Sequence, residues 1–550
     1  MDFSESNKGD LILFNGKIIT VDPKDTVVEA VAVKGGIIVG VGTTSEAKSL
    51  VKGETKAIDL EGKTVVPGFI DAHTHLDCTA THTKLAMSLH IPPVKYVKTS
   101  GAVESMGDIL KVINQKVQQT PKGEWIIGQG RFALETDGNS PTKQQLDDIA
   151  PDHPVMVRYN AHTHLLNSKA LELAKITEGG PSQDELEKFA VGAKIIRDQG
   201  TGEPTGRVIE CGDWIFPMYN PFSYEQLKGA IKKTCQEAVS FGVTSIQEFT
   251  SWPESARIFQ ELYNDGELPL RVQLCPAVWG LYKTVDLDCL LKLGIQTGFG
   301  NEWIKFGRAK IFVDVEGYDE KGHWITWPRI SQEKLDELVL RAYKAGIGVM
   351  MHATSREGQK MAINSVETAM KDIPAVDHRA RIEHFAGDYW QEGLKRMKRL
   401  GMIPVPTPYS SLGWYGDAWL ESHQPGDKAV IYRTLLDEGF MPPGNSDSMG
   451  TEPEALNPWW SIWCAVDRKT RSGQSICPEE GVTVMEAIRI YTMNSAYSGF
   501  EERIKGSIEV GKIADLVILT EDPLTVAKEE IQNIEVEMTI IGGKMVYQRK

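Results

Sequence analysis

One pattern occurs twice in the second half of the chain and narrows the fold more than any other feature. Ser331 can cap a helix whose apolar positions Leu335, Leu338, Val339 and Ala342 follow helical spacing, and Gly346 can end it. The apolar run Ile347-Gly348-Val349-Met350-Met351 then reads as a strand that delivers His352. Residues 377–384 end in the same way, with Arg381-Ile382-Glu383 as a short strand and His384 after it. Repeated βα units favour a parallel sheet, and the alternation through the middle of the chain favours a (β/α)8 TIM-like barrel. Catalytic side chains of such barrels sit at the C-terminal ends of strands, which is where both histidines fall.

The ends of the chain have a different rhythm. Leu11-Ile12-Leu13-Phe14, Asn15-Gly16 and Lys17-Ile18-Ile19-Thr20-Val21 form a hairpin signal, and a second surrounds Gly35-Gly36. Asp515-Leu516-Val517-Ile518-Leu519 is a further strand, and Gly542-Gly543 joins two more. The expectation is a small β-sandwich domain made from both termini, residues 1–65 with 505–550, beside a barrel over 66–504. Residues at about 85–225 fit the barrel rhythm poorly and read as an insertion, a cap over the active-site face.

Composition excludes several classes. The 550 residues carry a net charge of −15 and no Lys/Arg-rich block, so neither a nucleic-acid face nor attraction to an anionic membrane is expected. The first eight residues are polar and no apolar run of about 20 residues exists, so no signal peptide or membrane span is read. Seven cysteines without a CxxC pair suggest reduced thiols in a cytoplasmic protein.

Chemistry enters at Pro67-Gly68-Phe69-Ile70-Asp71-Ala72-His73-Thr74-His75. Residues i and i+2 of a strand point the same way, so two imidazoles could hold one cation. The strand before them is apolar, and two histidines at its buried end are costly unless coordinated. An isolated His-x-His pair is more often two satisfied surface side chains.

The surroundings change that reading. The run 67–75 resembles the first metal-binding segment of the amidohydrolase superfamily. Further matching pieces follow in order: Pro151-Asp152-His153-Pro154-Val155, Asn167-Ser168-Lys169-Ala170-Leu171, Gly202-Glu203-Pro204-Thr205-Gly206, Gly242-Val243-Thr244-Ser245, Arg381-Ile382-Glu383-His384 and Ser446-Asp447. With the C-terminal run Gly506 to Leu516, they resemble amidohydrolase family 3, the YtcJ-like branch that includes N-substituted formamide deformylases.

The resemblance implies a ligand set. His73 and His75 would be joined by His352 and His384, single histidines ending strands five and six. Asp447, ending strand eight, would bind metal and take a proton from water. A binuclear site needs a bridge on strand four, and Lys310, carboxylated on its amine, stands in that order. Its other reading is a strand-end lysine paired with Asp314, and Glu248 is a second candidate bridge. His162 would polarise substrate from the cap, unless His164, two residues on, shares that face. Tyr409, Trp414 and Tyr415 could line an aromatic pocket or simply pack.

The reading is thus a hydrolase of a C–N bond in a small molecule, a linear N-substituted amide or formamide, using metal-activated water with Asp447 as general base and acid. The metal would be Zn2+, with Mn2+, Fe2+ or Co2+ also suited, as one or two ions. A cyclic amidase, a deaminase, or a carbamate or ester hydrolase would use the same site, and a non-catalytic scaffold would be expected to have lost ligands. A homodimer is the prior for assembly. Two departures from the family, Ala353-Thr354-Ser355-Arg356-Glu357 and Thr407-Pro408-Tyr409, lie on loops that would read the substrate.

Overall fold

The computed structural model describes residues 10–49, 51, 55–89, 105–130, 140–159, 163–189, 193–211, 215, 222–280, 284–318, 324–373, 377–385, 390–422, 427–450, 452 and 454–550. Strands from both ends of the chain share one six-stranded sheet. Its order is Lys544–Gln548, Val536–Ile541, Leu516–Leu519, Thr64–Pro67, Lys17–Ile19, Val27–Val28. A four-stranded sheet built from Leu11–Phe14, Ala30–Lys34, Ile37–Gly42 and Lys56–Asp59 packs on it. Leu11, Leu13, Val31 and Val33 of one sheet meet Ile18, Val65, Leu516 and Ile518 of the other in a single apolar core. Val517 and Leu519 face the opposite way, into a cluster with Trp459 and Trp460. Both faces of Leu516–Leu519 are covered, which is why that strand is apolar without alternation.

The central strands are all parallel. Phe69–Thr74, Val243–Glu248, Arg271–Leu274 and Ile304–Phe306 form one sheet. Ala277–Trp279, Ala309–Phe312, Val349–His352, Arg381–Glu383 and Ile403–Val405 form another. The expected barrel would be one closed ladder; the sheets show two separate ones. The break has a local cause. Pro276 has no N–H to give to a ladder. Beside it the neighbouring strand is interrupted at Gly307, which passes so close that a Cβ there would stand 2.6 Å from Cys275 Sγ. Hydrogen bonds continue across the turn, from Gly307 N–H to Leu274 O (2.7 Å) and from Lys310 N–H to Pro276 O (2.9 Å).

Helices cover the outer faces. Gln332–Lys344 begins where expected, with Ser331 Oγ accepting from the Lys334 N–H, and Gly346 follows its end at φ +72°. Residues 87–209 build their own mixed sheet, in the order Lys194–Arg197, Pro204–Ile209, Thr163–Leu166, Val155–Arg158, Ile126–Gln129, Met87–Ser88. All seven cysteines are free thiols. Among the described residues, no helix is long and apolar enough to cross a membrane.

Candidate metal centre

The strand Phe69–Thr74 is buried along its whole length. It enters through Gly68, where a Cβ would lie 2.2 Å from Thr244 Oγ1, so glycine lets the first two parallel strands approach. His73 is the penultimate residue of the strand and His75 follows its end, with ring centroids 5.3 Å apart.

Other strand ends converge on this pair. Asp447 Oδ1 is 3.6 Å from His73 Nε2 and 3.4 Å from His75 Nε2, and Asp447 Oδ2 is 3.5 Å from His384 Nδ1. His73, His384 and Asp447 each offer one ligand atom, all within 4.8 Å of one another. The His352 ring lies 4.6 Å from that of His384 and stacks on Phe312 at 5.0 Å. Both His384 and Asp447 adopt positive φ, 56° and 48°, as the chain turns away from the strand ends. Such backbone is held only where the surroundings over-determine it.

Asp447 is delivered by irregular chain. Residues 444–448 run beside Phe69–Thr74, with hydrogen bonds from Ala72 N–H to Gly444 O (3.0 Å), Asp447 N–H to His73 O (2.9 Å) and His75 N–H to Ser448 O (3.1 Å). Asp71 fastens this segment, accepting from Ser446 N–H at 3.0 Å and from the Ser446 hydroxyl. Burial raises the Asp71 carboxyl to about 7, against the pull of the Ser446 bonds.

A further side-chain contact at the centre joins His73 to Glu383. Glu383 Oε2 accepts from His73 Nδ1 at 2.6 Å, and both groups are fully buried. Arg381 grips Glu383 twice, each time at 2.7 Å, and bonds Ala72 O at 2.8 Å. Burial would lift the Glu383 carboxyl, but Arg381 and His73 outweigh it and hold it well below the usual range. The sequence carried a signal: Arg381 and Glu383 are i and i+2 in an otherwise apolar strand, so two opposite charges share one buried face.

These groups suit a divalent cation. The Glu383 contact occupies His73 Nδ1 and turns Nε2 inward as a free base. Burial lowers His73 to about 4, with Lys310 adding to the effect, and burial pushes His384 down as well, so both rings are neutral donors. Burial opposes ionisation of Asp447, yet the surrounding His384, His75 and His73 hold it as carboxylate.

Lys310 is buried at the same point, its Nζ 3.4 Å from His73 Nε2 and 5.3 and 5.1 Å from the Phe249 and Phe312 ring centroids. Burial lowers its amine to about 8. Asp314 is engaged elsewhere: it accepts from the Thr354 and Ser355 N–H groups, each at 2.9 Å, and fixes the loop after His352. Glu248 is engaged at a helix start. Its carboxylate accepts from Leu76 N–H (2.8 Å) and Asp77 N–H (3.0 Å), at the start of the helix Leu76–Ala80.

His162 lies outside the described residues. His164 is buried on the strand Thr163–Leu166, in register with Arg158. Tyr409 is buried in packing: its ring lies 5.6 Å from Trp460, and its hydroxyl donates to Glu454 at 2.9 Å. Trp414 is half-buried against the same cluster beneath the Arg471 guanidinium, and Tyr415 ends the adjoining helical turn.

Parallel strands that end on a buried imidazole–carboxylate cluster define a class of hydrolytic α/β protein. The sequence pattern of the amidohydrolase family matches residues 56–547, and the chain belongs to that family, hydrolases acting on carbon–nitrogen bonds. An N-substituted formamide deformylase from Arthrobacter pascens is 28% identical, over 98% of both chains. A putative amidohydrolase, YtcJ, from Bacillus subtilis strain 168 is 26% identical, over 98% of this chain and 99% of that one. Among solved structures, an uncharacterized metal-dependent hydrolase from Pyrococcus horikoshii OT3 superposes with a TM-score of 0.72. It is 22% identical, over 94% of this chain and 99% of that one, a likeness of fold.

Proposed function

We propose that the protein hydrolyses the C–N bond of a linear N-substituted amide or formamide. The observation that carries metal-assisted hydrolysis is the convergence of His73, His384 and Asp447 within 4.8 Å, with Glu383 holding the far side of His73. In this reading His73, His75, His352, His384 and Asp447 hold a divalent metal, Zn2+ by the preference of imidazole with carboxylate, with Mn2+, Fe2+ or Co2+ as alternatives. When bound, such a cation supplies Lewis acidity toward water and the scissile carbonyl.

The chain's own groups do the rest. Asp447 accepts the proton of the attacking water at a carboxylate oxygen and passes it to the leaving nitrogen. Glu383 and Arg381 keep the His73 ring in one tautomer and one orientation. Lys310 fits as a ligand only in another chemical form, since an ammonium donates hydrogen bonds and repels a dication. Its lowered amine favours the neutral form, whose lone pair would attack carbon dioxide with loss of one proton, and the resulting carbamate would offer an anionic oxygen to a second ion.

The same reading takes the two parallel sheets as one interrupted (β/α)8 barrel. The hydrogen bonds across Gly307 and those between 444–448 and the first strand support it. Residues 1–65 with 505–550 are then the composite β unit, and about 85–225 the cap, from which His162 would face the substrate. The likeness to a formamide deformylase supports a linear amide. The test is turnover of zinc-loaded protein on N-substituted formamides, anilides, cyclic amides and aminopurines. Preference for an N-substituted formamide is expected; cleavage confined to cyclic amides or aminopurines would overturn it.

A further inference from the structure

A second polar site lies at the other end of the parallel strands. Arg308 immediately precedes the strand Ala309–Phe312 and is completely buried. It makes one hydrogen bond, from Nη2 to Arg379 O at 3.4 Å, and rests on the Phe500 ring at 4.9 Å. Its Nε and Nη1 are buried and have no hydrogen-bond partner. Gly348 leaves the room for its stem: a Cβ there would stand 3.3 Å from Arg308 Cγ and 3.5 Å from Nε.

The surrounding charge does not compensate this guanidinium. Arg379 spends its donors on Asp377, Glu502 and Tyr497 O, and Arg381 spends its own on Glu383, Gln247 and Ala72 O. Both arginines add like charge to Arg308, and Glu383 offsets part of it. A second buried donor stands in the same field. Tyr343 is 4% exposed and its hydroxyl has no partner; His378, whose ring packs on Tyr343, immediately precedes Arg379, whose carbonyl takes the Arg308 bond. The His378 ring stacks on Tyr343 at 5.0 Å, and its Nδ1 accepts from Ala380 N–H at 2.9 Å, so it holds the phenol without competing for its proton.

A buried cation whose partners are donors alone is costly, and an anion removes the cost. We propose that Arg308 and Tyr343 bind a small monovalent anion, a halide such as chloride, at the N-terminal ends of the parallel strands. Two guanidinium N–H groups and a hydroxyl suit a compact, spherical acceptor. Arg308 precedes its strand, whereas His352 and His384 stand at the other ends of theirs, so the ligand stabilises the fold rather than joining the chemistry.

The probes are bromide and chloride, on the metal-loaded full chain. A crystal soaked in sodium bromide should show an anomalous peak within hydrogen-bond reach of Arg308 Nη1. In solution, replacing sodium gluconate by sodium chloride at constant ionic strength should raise the thermal midpoint by about 2 °C. Tyr343→Phe should shift the chloride dependence to concentrations about threefold higher or more, and Arg308→Met should abolish it. If Arg308→Met does not fold, Tyr343→Phe and the bromide peak decide. Lack of anomalous signal at Arg308, or a Tyr343→Phe curve that coincides with the parent's, would overturn the proposal.

Discussion

Glu383 and His73 are 310 residues apart in the chain, yet the Glu383 carboxylate lies 2.6 Å from the His73 Nδ1, both fully buried. The contact decides which nitrogen of His73 faces the centre. It also ties the first parallel strand to Arg381–Glu383, because Arg381 holds Glu383 and bonds the backbone at Ala72.

Replacing Glu383 by glutamine should therefore act on the metal before it acts on the substrate. The amide keeps the shape but loses the charge that fixes the His73 tautomer. Zinc affinity should fall by about 10- to 100-fold, measured by competition with a chromophoric chelator. Arg381 loses its buried counter-charge as well, so the thermal midpoint of the metal-free protein should drop. Parental zinc affinity in Glu383→Gln would show that the contact does not orient a ligand.

Asp447→Asn separates binding from proton transfer. The side chain keeps its place against His73 and His75 but cannot accept the proton of water. Bound metal should stay close to the parental level by elemental analysis, while kcat falls by about 100- to 10,000-fold. Near-parental turnover would remove Asp447 from the role of base.

Lys310 makes a stoichiometric prediction. If its amine is carboxylated, protein loaded in the presence of bicarbonate should hold two ions per chain. 13C-labelled bicarbonate should give a carbamate resonance, and Lys310→Ala should lack that signal. One ion per chain together with an unmodified Lys310 would leave the site mononuclear.

Gly68 tests the packing beneath the site. A methyl group there would overlap the Thr244 side chain, so Gly68→Ala should destabilise by about 1–3 kcal/mol, read from denaturant or thermal unfolding. Adding Thr244→Ala removes the two nearest atoms and should restore part of the loss. A double variant no more stable than Gly68→Ala would place the strain elsewhere.

Much of the centre is legible before folding, because its signals are local. A strand with a histidine at or beside its end is readable from a few neighbouring residues, and that pattern marks His73, His352 and His384. Asp447 is recognisable only through Ser446-Asp447 and its place in a family order, since the chain around it is irregular. Gln332–Lys344 announces itself through Ser331, its apolar stripe and Gly346. The partners are another matter. Glu248 and Glu383 are both acidic residues at strand ends, and nothing local tells them apart. Only the assembled fold sends Glu248 to the N–H groups at Leu76 and Asp77, and Glu383 to His73. Tyr409 likewise reads as pocket or packing until Trp460 and Glu454 close on it.

The sequence by itself determined the periodicities, and with them the parallel strands, the covering helices and the histidines that end strands. It also determined the family, through short motifs in a set order. The tertiary structure alone decided which buried charge meets which. Those pairings join segments hundreds of residues apart, and a buried ion is tolerated only where its partner arrives in the right geometry. Local spacing has no access to that condition.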